Sequence, residues 1–152
     1  LVTDEGQSVF DSPVIMEYLD TVCDGPEMLP KSGEARWTVL RRQATADGMI
    51  GSMVTCFVES LKKPERQSGG VVAHNKAITF SGIAAFEREA ASFGDTVDVG
   101  IISAAVALSF AGQTFPEDDW RKDNPTLATW FDVFDQRPSM TETVLVDARS
   151  FE

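Results

Sequence analysis

The fold of this chain is decided by the stretch DTVDVGIISAAVALSFAG, which runs from residue 95 to residue 112. Residues 99–110 are almost uniformly apolar, which predicts a helix buried on every side at the centre of a core. The run is rich in Ala, Gly and Ser and is shorter than the roughly 20 residues that a membrane span requires. Asp95 is expected to cap this helix, and Asp98 completes a box-like capping arrangement three residues later.

Further helices are predicted on both sides of this central one, because apolar residues recur there at helical spacing. A polar stretch with Pro64 and two adjacent glycines predicts a loop between the first two of them. The expected elements are a helix over 34–61, a loop over 62–74, a helix over 75–93, a helix from Asn124 to Arg137 and a short helix that starts at Ser139. Everything after residue 33 therefore indicates a helical bundle.

The first 24 residues follow a different pattern. Two short β-type runs, 1–3 and 8–10, flank turn residues that include Gly6, which predicts a β-hairpin. Asp11-Ser12-Pro13 then begins a helix, because a capping side chain is followed by proline in the first turn. An isolated hairpin is marginal in water. We therefore expect partner strands upstream of Leu1 or in another chain.

Composition limits the classes of partner. The 152 residues carry 13 Lys and Arg against 24 Asp and Glu, a formal net charge of −11. Such a negative chain is a poor ligand for nucleic acid or for an anionic membrane surface. Cys23 and Cys56 match no metal-ligand spacing, so we expect two reduced thiols, no bound metal and a cytoplasmic protein.

Five groups of residues, in the right order along the whole chain, resemble the bacterial type of glutathione transferase. The first group resembles the last two strands and third helix of the family's thioredoxin-like domain, and the others resemble its helical domain. The groups are Leu1 to Gly6 with Val9 to Ile15 and Glu17 to Asp20; Met28-Leu29-Pro30 with Gly33 and Arg36; Gln43-Ala44 with Ala46-Asp47-Gly48, Glu59 and Lys63-Pro64-Glu65; Thr96-Val97-Asp98; and Trp120-Arg121, Pro125-Thr126-Leu127, Trp130 and Arg137-Pro138-Ser139.

The resemblance implies a mainly α fold, a glutathione-transferase C-terminal-like bundle preceded by the hairpin and helix of a thioredoxin-like α/β domain. The implied boundaries are 1–24 for the end of the thioredoxin-like domain, 25–33 for the linker and 34–152 for the helical domain. It also implies glutathione as co-substrate, an electrophilic small molecule as second substrate and a homodimer. The family's thiol-activating Tyr, Ser or Cys lies in an earlier strand, so no residue here is assigned a catalytic role.

Asp11 and Ser12 are the predicted glutathione-binding residues. A helix N-terminus offers unpaired N–H groups and a positive dipole end, which suit a carboxylate. Ser12 adds a hydroxyl donor and Asp11 can accept from an ammonium, so the pair matches the two charges of the γ-glutamyl end. The alternative is that either residue only caps its own helix.

A second predicted site is the wall of the co-substrate cleft, formed by Met49 and Met53, since flexible thioethers suit a permissive apolar pocket. The alternative for both is ordinary core. Gly48, next to Asp47 in the same helix, is unfavourable there by intrinsic propensity, and either close packing or a nearby ligand would explain it. His74, the only histidine, is expected at the surface.

The sequence is consistent with two kinds of function. In its complete form the protein transfers the glutathione thiol to an electrophile by lowering the thiol pKa. Alternatively it is a non-catalytic transferase-like interaction module, or one that binds glutathione without turnover. In either case the 152-residue chain alone is predicted to conjugate little.

Overall fold

The computed structural model describes residues 1–144, and within them the chain forms six α-helices. Single turns of 3-10 helix, Pro64–Arg66 and Ala90–Ser92, follow the second and third helices. The helices are α1 (Ser12–Val22), α2 (Gly33–Ser60), α3 (Gly69–Glu89), α4 (Val99–Thr114), α5 (Pro125–Phe134) and α6 (Pro138–Thr141). The predicted mainly helical fold is confirmed for this range, and residues 145–152 of the predicted helical domain lie outside it.

Helix α4 is the centre of the core, as its apolar composition predicts. Ile101 and Leu108 are fully enclosed, and most of the helix is buried against α2 and the neighbouring helices. Its N-cap is Asp98, whose carboxylate accepts a hydrogen bond of 2.8 Å from the N–H of Ile101. The prediction that Asp95 caps α4 is therefore wrong. The helix begins at Val99, so Asp98 is the residue whose side chain reaches the third N–H group.

Two glycines allow the close packing of α2 with its neighbours. A Cβ atom on Gly100 of α4 would lie 2.6 Å from the carbonyl oxygen of Val39, and one on Gly82 of α3 would lie 2.5 Å from the Met49 thioether. By contrast, no atom lies within 4 Å of the corresponding position on Gly48. The close-packing interpretation of Gly48 is therefore wrong, and Gly100 and Gly82 are the positions where absence of a side chain matters.

A charged cluster joins the buried side of α2 to the end of α3. Arg42, which is 7% exposed, donates 3.1 Å hydrogen bonds to the carboxylate of Glu89 and to the hydroxyl of Ser92. Arg41 adds two hydrogen bonds to the same carboxylate. Burial by itself would raise the pKa of Glu89, but the hydrogen bonds and charges of the two arginines outweigh it and lower the pKa.

The connection between α2 and α3 is shorter than the sequence pattern predicts. Helix α3 begins at Gly69, so the predicted loop over 62–74 is wrong in its second half. Ser68 caps the helix by accepting from the Val71 N–H, and its own N–H donates to the buried carboxylate of Glu59. These capping contacts stabilise a helix start that its two glycines disfavour by intrinsic propensity.

The predicted β-hairpin does not form as a pair of strands within residues 1–144. A single antiparallel bridge joins Val2 to Ser8, and the turn between them places Gly6 at φ 80°. Hydrogen bonds from Thr3 N–H to Gln7 carbonyl and from Val9 N–H to Leu1 carbonyl, both 2.9 Å, hold the turn. Two short runs without a neighbouring strand do not make a regular sheet, so the hairpin prediction is wrong.

Candidate site at the N-terminus of α1

Asp11 and Ser12 lie together at the start of α1, and both are exposed. Asp11 is the N-cap, with extended backbone dihedrals, and its carboxylate accepts from the N–H of Ser12. The next residue, Pro13, has no N–H to donate. The structure therefore confirms the predicted helix start and brings the two candidate residues to one open surface, with one carboxylate oxygen of Asp11 taken by the cap.

Two donors at this helix end have no acceptor within the described chain. The first backbone bond of α1 runs from Ile15 N–H to the Asp11 carbonyl at 3.0 Å, and neither the Val14 N–H nor the Ser12 hydroxyl makes a hydrogen bond in residues 1–144. Such groups point toward solvent at the positive end of the helix dipole. The arrangement can hold a carboxylate through two hydrogen bonds.

A second carboxylate lies within electrostatic reach of Asp11. Asp47, half-buried on α2, has its pKa raised by burial and, in second place, by the negative charge of Asp11. In the sequence Asp47 stands out only beside its neighbour Gly48, and nothing there connects it to α1. The two residues are far apart along the chain and no local pattern relates them, so only the packing of α1 near α2 could show this pair. The pair favours a cationic group between the carboxylates.

Contacts with the linker hold α1 against the bundle. The carboxylate of Asp20 accepts from the N–H of Met28 at 2.6 Å, and the Met28 carbonyl accepts from the N–H of Val99, the first residue of α4. Arg36 of α2 pairs with Glu17 of α1 at 2.8 Å. A cavity of about 270 Å³ remains between α1, the linker and Val99. The buried helix α4 thus fixes the place of α1 through the linker backbone.

Met49 and Met53 are not part of this surface. Both side chains are fully enclosed in the main hydrophobic cluster, with 0% exposure. Their neighbour Cys56 is also buried, and burial, followed by the charge of Glu59, raises the pKa of its thiol. The burial of the two methionines agrees with the alternative that they are ordinary core residues. A co-substrate wall on this helix would have to be formed by exposed neighbours instead.

The remaining candidates are dispersed. His74 is exposed on α3, in agreement with the surface position expected for it. Cys23 and Cys56 are both free thiols. In the part of the chain that the structure describes, no three His, Cys, Asp or Glu side chains come together as metal ligands would. Helices long and apolar enough to cross a membrane are likewise absent from residues 1–144.

Comparison with known proteins gives consistent relatives, although no protein-family model matches the chain. A glutathione transferase family member from Pseudomonas fluorescens Pf-5, solved with S-(propanoic acid)-glutathione bound, is 34% identical and superposes with a TM-score of 0.92 over 97% of this chain and 76% of its own. A glutathione S-transferase from Methylobacterium radiotolerans, in complex with glutathione sulfonate, is 26% identical, with a TM-score of 0.85 over 96% of this chain and 73% of its own. The uncharacterized GST-like protein YibF of Escherichia coli is 26% identical over 146 residues, which are 94% of this chain and 72% of that protein.

The fold and the site define a class of protein: a helical bundle around a mostly buried central helix, joined by a short linker to a helix whose N-terminus is exposed. With the identity, coverage and superposition of the Pseudomonas relative, this becomes a family assignment. The chain belongs to the glutathione transferase family, as its sequence motifs indicate.

Proposed function

We propose that this protein binds glutathione at the N-terminus of α1 and, in its complete form, conjugates the glutathione thiol to an electrophilic small molecule. The observation that carries the proposal is the pair of unsatisfied donors, the Ser12 hydroxyl and the Val14 N–H, beside the carboxylate of Asp11. Relatives of the chain were solved with glutathione or a glutathione derivative bound, which supports the ligand class.

The γ-glutamyl end of glutathione matches this surface in charge and in hydrogen bonding. Its α-carboxylate would accept from Ser12 and Val14 at the positive end of the α1 dipole. Its α-ammonium would lie against Asp11, on the side where Asp47 adds a second negative charge. Because bringing a cation close stabilises an ionised carboxylate, binding would lower the raised pKa of Asp47.

The remaining parts of the proposal concern the rest of the protein. We assign residues 1–24 to the end of a thioredoxin-like domain, 25–33 to a linker and 34–152 to the helical domain, and we assign the thiol-activating role to no residue of this chain. The electrophile wall predicted at Met49 and Met53 stays a prediction, although both side chains are enclosed in the core. The cytoplasmic location stays a prediction as well.

A homodimer is part of the same proposal. Val54 and Val58 of α2 are 44% and 51% exposed, and Leu61, the C-cap that follows the helix, is 62% exposed. An apolar stripe of this kind is typical of an association surface, and a second copy of the chain is the simplest partner. Light scattering after gel filtration should report a dimer for the unaltered chain and a monomer for Val58→Asp. A monomer in both cases would contradict the dimer without affecting the glutathione site.

Titration calorimetry with glutathione tests the site. Asp11→Asn and Ser12→Ala should each weaken binding about tenfold, the effect expected for losing one charge-assisted hydrogen bond. Asp123→Asn, an equal change of charge at an exposed residue outside the site, is the matched control and should bind like the unaltered chain. Unchanged affinity in both site variants would refute the assignment.

The titration of Asp47 gives an independent reading of the same site. Carbon-detected NMR of the side-chain carboxyl should show its pKa fall on addition of glutathione and fall also in Asp11→Asn, because the neighbouring negative charge is removed. A pKa that responds to neither change would mean that Asp47 does not face the ligand.

Turnover separates the two functions. The 152-residue chain, assayed with glutathione and an activated aryl halide, should bind the thiol but conjugate it little. A normal turnover number would contradict this prediction. Binding without turnover by the complete protein would favour the alternative, a glutathione-binding or interaction module.

A further inference from the structure

A groove of about 490 Å³ lies on a different part of the molecule, between the Ala90–Ser92 turn and α5. We call it the α5 groove. None of the residues that line it belongs to α1 or α2, so it is separate from the glutathione site and its interpretation does not rest on that proposal. The residues that matter below are Ala91, Asp95, Trp130, Val133, Phe134 and Arg137.

The floor of the α5 groove is aromatic and held rigidly. The Trp130 ring packs edge-on against the fully buried Phe93 at 4.9 Å between centroids and lies 5.0 Å from the ring of Phe134 at an angle of 32°. Val133 extends the apolar lining and is 73% exposed. A preformed apolar surface of this kind suits the flat body of an aromatic ligand, because little conformational entropy is lost when it is covered.

Two opposite charges face the groove, and neither is neutralised by another side chain of residues 1–144. Asp98, not Asp95, caps α4. The side chain of Asp95 makes no hydrogen bond or ion pair in residues 1–144 and lines the groove. The guanidinium of Arg137 lies 5.4 Å from the centroid of the Phe134 ring and has no carboxylate within 4.0 Å in that range. The groove therefore presents an acceptor and a fork of donors that the described chain itself does not use.

The charge of the whole chain narrows the class of ligand. A net charge of −11 repels an organic anion over the Debye length, although Arg137 would attract it at close range. An organic cation would leave Arg137 unpaired beside an apolar surface. A zwitterion has no net charge to be repelled and offers a partner to each of the two groups.

We propose that the α5 groove is a binding site for a small zwitterion with an aromatic body, of the class of the aromatic amino acids. Its ring lies on Trp130 and Phe134, its carboxylate on Arg137 and its ammonium on Asp95. Stacking and two charge-assisted contacts in an open groove correspond to an affinity in the millimolar range.

Calorimetry with L-phenylalanine and the whole chain tests this assignment. Two analogues serve as comparison: 3-phenylpropanoic acid, which lacks the ammonium, and 2-phenylethylamine, which lacks the carboxylate. L-Phenylalanine should bind saturably and about tenfold more tightly than either analogue.

Variants assign the two contacts separately. Arg137→Gln should weaken the binding of L-phenylalanine about tenfold and leave the affinity for 2-phenylethylamine unchanged. Asp95→Asn should also weaken the binding of L-phenylalanine about tenfold, and it should leave the affinity for 3-phenylpropanoic acid unchanged. Lys122→Gln and Asp123→Asn make the same charge changes at exposed residues outside the groove and should have no effect. Ala91→Phe, at an exposed position in the groove, should abolish binding by filling it while the far-ultraviolet circular dichroism stays unchanged.

Three results would overturn the proposal. The first is no saturable binding of L-phenylalanine up to about 10 mM, because at that limit the stacking and charged contacts would supply very little binding free energy. The second is equal affinity for the amino acid and both analogues. The third is binding that survives the Ala91→Phe substitution, which would place the ligand elsewhere on the chain.

Discussion

Replacing Gly100 by alanine tests the packing of α4 against α2 directly. The added Cβ would lie 2.6 Å from the Val39 carbonyl oxygen, 2.9 Å from the Arg42 Cβ and 3.1 Å from the Val39 Cα. These are backbone and helix-anchored atoms, so relief requires the two helices to separate by roughly 0.8 Å before ordinary contact is restored.

The expected magnitude follows from two opposing effects. Overpacking at a helix contact costs about 1–3 kcal/mol. Alanine in place of glycine inside a helix returns about 1 kcal/mol of backbone propensity. The net expectation is a loss of about 0–2 kcal/mol in the free energy of unfolding, which for a chain of this length lowers Tm by at most about 8 °C.

Gly48→Ala is the matched control, since it makes the same change within a helix at a position with nothing inside 4 Å. It should stabilise the chain by about 0.5–1 kcal/mol. The free energy of unfolding of Gly82→Ala should lie between those of Gly100→Ala and Gly48→Ala, because its new Cβ meets the flexible side chain of Met49.

Urea denaturation followed by tryptophan fluorescence and circular dichroism measures all three variants, with equal m-values required for the comparison. If Gly100→Ala is as stable as Gly48→Ala, α2 and α4 do not approach each other as described, and the account of the core is wrong.

Three further predictions concern charged and thiol groups. Glu89→Gln should lower the free energy of unfolding by about 3 kcal/mol, because it leaves the buried Arg42 without its counter-charge. Glu17→Gln, which breaks an exposed ion pair, should lower it by less than about 1 kcal/mol, and thermal unfolding of both variants measures the difference. The folded-state pKa of Glu89 is lowered, so its ionisation contributes stability that is present above the unfolded pKa and is lost as pH falls through the folded pKa. The difference in stability between the unaltered chain and Glu89→Gln should therefore shrink in acid. A constant difference down to about pH 3 would contradict this. A thiol reagent at neutral pH should modify the exposed Cys23 much faster than the buried Cys56, whose thiol pKa is raised, and equal rates measured on Cys23→Ser and Cys56→Ser would show that Cys56 is not enclosed.

The sequence alone determines the helical class of the bundle, the central position of α4 and the family. A run of twelve residues that is apolar except for two serines has no polar face to turn toward water, so its largely buried position follows from composition, although Val106 is 45% exposed. The start of α1 at Asp11-Ser12-Pro13 is equally local, because capping depends on residues adjacent along the chain. The same local rules failed at 62–74, where capping by Ser68 and contact with Glu59 override the glycines.

Tertiary structure decided the rest, since it depends on which residues meet across the fold. The sequence places Met49 and Met53 on one helix but cannot say whether they face a cleft or the core, and only the packing of α2 shows that they are enclosed. Asp47 acquires its relation to Asp11 only when α1 is held against the bundle. Gly100 and Gly48 look alike as helical glycines, and only the approach of α2 to α4 leaves no room for a Cβ atom at Gly100 while Gly48 has nothing within 4 Å.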